Sequence, residues 1–115
     1  MATIFEKIIA GELPANILHR DERVIAFTDI RPVAPTHVLV VPNKVIETVD
    51  DIGDQDEALI GHMIIVARDL ARKLGIAKDG YRLIFNCRDH GGQEVYHLHL
   101  HLIGGRKLGP MVQRG

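Results

Sequence analysis

The chain has 115 residues, nearly half of them apolar, with 14 basic side chains against 15 acidic ones. That length suits one compact domain with a real core and is too short for two, so a single domain over residues 1–115 is expected. The near-neutral balance argues against a nucleic acid or a membrane as partner, because both favour a one-sided basic surface, and leaves a small charged ligand open.

Residues 1–11 are too short and too acidic for a secretory signal. Within them, residues 4–9 predict a short helix that stops at Gly11, with Pro14 barring its continuation. Residues 16–19 and 24–29 read as the strands of a hairpin with a polar turn at 20–23, which puts Phe27 and Asp29 on one face. A rigid loop bracketed by Arg31-Pro32 and Ala34-Pro35 leads to residues 37–41. These are β-branched and apolar enough for a buried strand ended by Pro42, with His37 at its mouth.

Residues 56–74 predict the longest helix, since Leu59, Met63, Val66, Ala67, Leu70 and Leu74 recur at helical spacing. Asp54, Asp56 and Glu57 gather at its start, Arg72 and Lys73 at its end, and Gly75 can adopt the left-handed cap, as the helix dipole and its frayed end require. Ile60, Ile64 and Ile65 widen the stripe beyond what one sheet face needs and point to a second buried side, such as a subunit contact. Neither here nor elsewhere does an apolar run approach the roughly 20 residues that span a bilayer. The single cysteine, Cys87, permits no intrachain disulfide and no four-cysteine zinc site, so a reducing, cytoplasmic location is expected. Residues 81–86 and 95–103 complete the strands, joined by a polar, glycine-bearing loop at 87–94. Hairpin-like connections before and after the long helix predict an α+β fold with a mainly antiparallel sheet.

The chemistry concentrates in His97-Leu98-His99-Leu100-His101. In an extended strand residues two apart share a face, so the three imidazoles line one side and the leucines the other. Three imidazoles together are hard to explain as packing, because each brings two ring nitrogens that need partners if buried. Two chemistries fit. Neighbouring histidines could chelate zinc with help from His37, although His97 and His101 stand about 13 Å apart along the strand, too far for one ion to take all three comfortably. Alternatively, a neutral imidazole could attack an electrophilic phosphorus and later be displaced by water, with the middle histidine oriented by its neighbours. Gly91-Gly92 and Gln93 upstream could bring backbone and amide donors to phosphate oxygens. Spacing alone leaves both readings open.

The stretch Gly92-Gln93-Glu94-Val95-Tyr96-His97-Leu98-His99-Leu100-His101-Leu102-Ile103-Gly104-Gly105-Arg106 resembles the His-x-His-x-His signature of the histidine triad (HIT) family. The likeness extends to Ile4-Phe5, Lys7-Ile8-Ile9, Phe27-Thr28-Asp29-Ile30, Ala34-Pro35-Thr36-His37, the long helix and Asn86. Gly104-Gly105-Arg106 and the short length are most similar to the Hint branch, the purine nucleoside phosphoramidases. The resemblance implies a homodimer whose sheets join into one, and a hydrolase that cleaves P–N bonds of AMP- or GMP-linked amines, and aminoacyl adenylates, through a nucleotidyl-histidine intermediate without metal or cofactor. Dinucleoside polyphosphate hydrolysis, or nucleotide binding without turnover, are the alternatives it leaves.

Carried over by residue, the resemblance makes His99 the nucleophile, with His37, His97 and His101 as its proton and phosphate network. Asn86, Gly92, Gln93, Glu94 and Val95 would lie near the phosphate or leaving group. Asp29 would hold the ribose hydroxyls, and Phe5, Ile8, Phe27, Ile30 and Leu39 would form the base pocket. Glu94 stands where animal members carry a serine, as in the bacterial form, and the tail at 107–115 lacks their tryptophan. His19, His62 and His90 match nothing catalytic and read as surface or structural.

Overall fold

Two strands carry apolar runs too continuous for a sheet with a wet face, and the computed structural model, which describes residues 2–114, shows where both faces go. The strands are β1 (Ile17–Arg20), β2 (Val24–Thr28), β3 (Thr36–Pro42), β4 (Tyr81–Ile84) and β5 (Leu100–Gly104). They form one sheet in the order β1-β2-β3-β5-β4, with every neighbouring pair antiparallel. β2 and β3 are buried along almost their whole length because a helix covers each side. Met1, at the head of the segment read as lacking a signal, and Gly115, at the end of the tail, lie outside the described residues.

On one face, α2 (Glu57–Lys73) lays Met63, Val66, Ala67, Leu70 and Ala71 against Val24, Ala26, Val38, Val40, Leu98, Leu100 and Leu102. On the other, α1 (Ile4–Ile9) presses Phe5 and Ile8 onto Ile25, Phe27, Leu39 and Val41. A six-residue helix does not hold in water by itself. Here its first turn is closed by a reciprocal cap, in which the Glu6 N–H donates to Thr3 Oγ1 and the Thr3 N–H to Glu6 Oε1. Burial of Phe5 and Ile8 then adds about 1.5–3 kcal/mol for each side chain.

The expected α+β architecture and antiparallel sheet are present, with different limits on some elements. The long helix begins at Glu57 because residues Asp54–Asp56 form a 3-10 turn, in which the Gly53 N–H donates to Asp56 Oδ2. A second such turn occupies Val49–Asp51. The final strand begins at Leu100, not at residue 95, since the chain before it bends away from the ladder and the Leu98 N–H donates to the Ile46 carbonyl. Alternation nevertheless survives the bend, with Leu98, Leu100 and Leu102 all in the α2 core. Leu74 falls beyond the last turn and is 41% exposed, while Ile64 and Ile65, off the packed stripe, are exposed in the single chain.

Met63 has no exposed surface and sits where α2 crosses the sheet. Met63→Ala is expected to lower the free energy of unfolding by about 2–5 kcal/mol, read from urea denaturation with an unchanged m value.

Candidate active site

The imidazoles converge from two adjacent central strands and the bend before one of them. β3 pairs with β5 so that Leu39 opposes His101 and His37 opposes Ile103, which sets His37 and His101 on one diagonal. His37 Nε2 lies 2.9 Å from His101 Nδ1. The His99 and His101 rings follow at 4.9 Å between centroids. Phe5 closes the other side, its ring 4.9 Å from His99 and 5.6 Å from Phe27 in edge-to-face contact.

Backbone groups dictate where each proton sits. The His97 ring is completely buried with Nε2 at 2.8 Å from the Pro42 carbonyl, an acceptor only, so Nε2 carries the proton. In the same way His99 Nδ1 donates to the His97 carbonyl at 2.8 Å, which leaves Nε2 of His99 with a bare lone pair. The Val33 N–H donates to His37 Nδ1, so His37 presents an Nε2 proton to His101. Neutral His101 must then carry its own proton on Nε2, and that atom is buried with no partner among the described residues. One lone pair and one unsatisfied donor therefore stand on neighbouring rings.

Burial favours the neutral form of three of these rings, His37, His99 and His101. It pushes the His99 pKa down, against the His97 carbonyl that favours its charged form; the His97 ring opposes that charge, while Asp29 and Glu94 favour it. His101 is lowered to about 4, by burial first and then by the rings of His99 and His37, with Asp29 in opposition. His37 is lowered by burial against the pull of Asp29, whose Oδ2 is 3.5 Å from Nε2. Asp29, His37 and His101 hold their ligand atoms within 4.8 Å of one another, a set that could also hold a cation.

Of the other residues read from the sequence, Phe5, Ile8, Phe27 and Leu39 share one buried cluster, and Val95 packs against it. Ile30 does not join them and is 86% exposed. Asp29 Oδ1 accepts the Arg31 N–H, so half of this carboxylate shapes the loop. Asn86 is half-buried, whereas Gly92 and Glu94 are exposed. Gln93 is buried and engaged inside the chain: its amide donates to the Glu47 and Val95 carbonyls and accepts from the Arg88 N–H. Gly91 and Gly92 have reasons in the turn itself, since a Cβ on Gly91 would lie 2.4 Å from the Cys87 carbonyl oxygen and Gly92 has φ +78°. The Pro42 and His97 carbonyls and the Val33 N–H, which fix the imidazole tautomers, are partners that the sequence does not reveal, because such backbone groups are common to the whole chain. His19 and His62, read as surface or structural, both reach Asp21 on the opposite side of the sheet.

The HIT domain family matches residues 10–108. The chain is 56% identical over 110 residues to the purine nucleoside phosphoramidase of Escherichia coli (strain K12), covering 96% of this chain and 92% of that protein. A crystal structure of a HIT family hydrolase from Legionella pneumophila Philadelphia 1 superimposes with a TM-score of 0.92 at 48% identity, over 94% of this chain and 96% of that one. A histidine triad protein from Clostridium difficile gives 0.91 at 43% identity, over 95% of each. With its sheet, its two helices and its run of alternating histidines, this chain belongs to the HIT domain family.

Proposed function

We propose that the protein is a purine nucleoside phosphoramidase, hydrolysing P–N bonds of AMP- or GMP-linked amines, and aminoacyl adenylates, with His99 as nucleophile. The observation that carries this reading is the bare Nε2 lone pair on His99, opposite a ring nitrogen tied to the His97 carbonyl. The near full-length identity to the Escherichia coli phosphoramidase supports the substrate class.

In the first step the lone pair on Nε2 attacks the α-phosphorus, the new N–P bond forms and the P–N bond to the amine breaks. Positive charge builds on the His99 ring as the bond forms. The His97 carbonyl, Asp29 and Glu94 all favour that charge. The Nε2 proton of His101 is available to a phosphoryl oxygen, and the leaving amine takes a proton from solvent at the exposed rim beside Glu94. Water then attacks the phosphorus and gives up a proton to solvent, the His99–P bond breaks with its electron pair returning to Nε2, and the nucleoside monophosphate departs. Phe5, Ile8, Phe27 and Leu39 supply an apolar wall for the base, with Asp29 for the ribose hydroxyls and Ile30 completing the wall only on rearrangement or beside a partner chain. Gln93 acts by bracing the turn that carries Gly92, Glu94 and Val95 past the phosphate, and Asn86 lies at the same rim.

A homodimer fits the open edge of β4, the exposed Ile64 and Ile65 on α2 and the exposed Met111 and Val112 of the tail. A cytoplasmic site of action fits a chain with no disulfide and, among the described residues, no helix long and apolar enough to cross a membrane.

In His99→Ala, release of amine from an AMP–amine conjugate is expected to fall by about 10³-fold or more, and rapid-quench mass spectrometry should find a nucleotidyl adduct on the peptide with His99 in the wild type only. Unchanged turnover in the variant would remove the assignment. Because burial depresses His99 and His101, both stay neutral below the ordinary imidazole value of 6.5. The acid limb of kcat/KM is therefore expected below pH 6.5. Stability follows the same sign: the unfolded chain takes up protons first, so the unfolding free energy should decline as pH falls from about 6.5 toward 4.

A further inference from the structure

On the far side of the sheet, three chemistry-bearing side chains from separate elements meet with no part in the proposed reaction. His19 lies on β1, Asp21 in the turn after it and His62 on α2. His19 Nε2 is 2.6 Å and His62 Nε2 2.7 Å from the same oxygen, Asp21 Oδ2. The remaining oxygen, Oδ1, is occupied by the Arg23 and Val24 N–H groups at 2.8 and 2.9 Å. The turn thus fixes the carboxylate and aims one oxygen at both imidazoles.

A strand irregularity builds this cluster. Ile17 pairs with Phe27 but His19 pairs with Ala26, so β1 holds one extra residue, a bulge at Leu18. Without it His19 would oppose Ile25, which faces α1 and the triad. With it His19 opposes Ala26, whose side chain lies in the α2 core. The bulge therefore turns His19 toward His62.

We propose that His19, Asp21 and His62 form a second, non-catalytic site for a divalent first-row transition metal, which staples α2 to the β1–β2 hairpin. Two imidazoles and one carboxylate are a donor set that zinc and its neighbours take readily. The three ligand atoms already lie within 4.8 Å of one another. Bonds of about 2.0–2.2 Å to an ion require the two nitrogens to draw back from Oδ2 by less than about 1 Å, within reach of small side-chain rotations. The side chains are 34%, 29% and 21% exposed in chain order, so water can fill the open positions. Neutral imidazoles and one carboxylate leave a divalent ion only partly neutralised, which suits a water-facing site.

Zinc titration followed by calorimetry on the full chain tests this, with His62→Gln and His19→Gln as variants. The wild type is expected to bind one equivalent that each variant weakens at least about tenfold, the lower end of what losing even an outer partner costs a metal site. Zinc should also raise the thermal midpoint of the wild type and not of the variants, while turnover of the AMP–amine conjugate stays at the wild-type level in metal-free His62→Gln. Zinc bound at Asp29, His37 and His101 would persist in both variants and is thereby distinguished. Identical titrations in all three proteins, or no zinc uptake by the wild type, would overturn the proposal.

Discussion

The hydrogen bond from His99 Nδ1 to the carbonyl of His97 is the constraint on which the proposed chemistry rests. An imidazole in water exchanges its proton between two nitrogens and turns freely about its side-chain bonds. Tying one nitrogen to a carbonyl two residues upstream settles both tautomer and orientation, so the other nitrogen is always the one with a lone pair. The bond exists because the chain bends before β5; a strand extended from residue 95 would leave that carbonyl to the ladder. His97, anchored in turn on the Pro42 carbonyl, holds the bend in place.

This arrangement is costly in isolation. His97 Nδ1 and His101 Nε2 are buried without partners among the described residues, and such groups destabilise by about 1–3 kcal/mol each. The sheet can carry that burden because its opposite face is densely apolar, from Leu98, Leu100 and Leu102 through to Met63 and Leu70 on α2. Stability and reactivity are thus separated onto the two faces of the same strand. An unsatisfied donor beside a lone pair is also what an anionic, electrophilic phosphoryl group would satisfy, so a ligand could recover part of that cost.

The two small devices on the molecule's periphery illustrate how little backbone is needed to redirect chemistry. One bulged residue in β1 sends His19 to the helix side, and one capped turn at Thr3 brings the Phe5 ring against His99. Both act through side-chain direction, and neither changes the order of the strands.

The amino-acid pattern by itself determined much of this protein. Period-two alternation of histidine and leucine separated a reactive face from a packed one, and the helical spacing of Met63, Val66, Ala67 and Leu70 marked the face that packs. Those inferences hold because burial of apolar area is local and periodic. What only the tertiary structure decided depends on groups that every residue shares or on register that no local pattern encodes. The Pro42 and His97 carbonyls and the Val33 N–H choose the tautomers; the engagement of Gln93 inside the loop and the exposure of Ile30 separate them from the buried ring cluster. The meeting of His19 with His62, 43 positions apart in the chain numbering, follows from a one-residue slip in strand pairing. A slip of one residue reverses which face a side chain takes, and the energies that select it come from packing across the whole sheet.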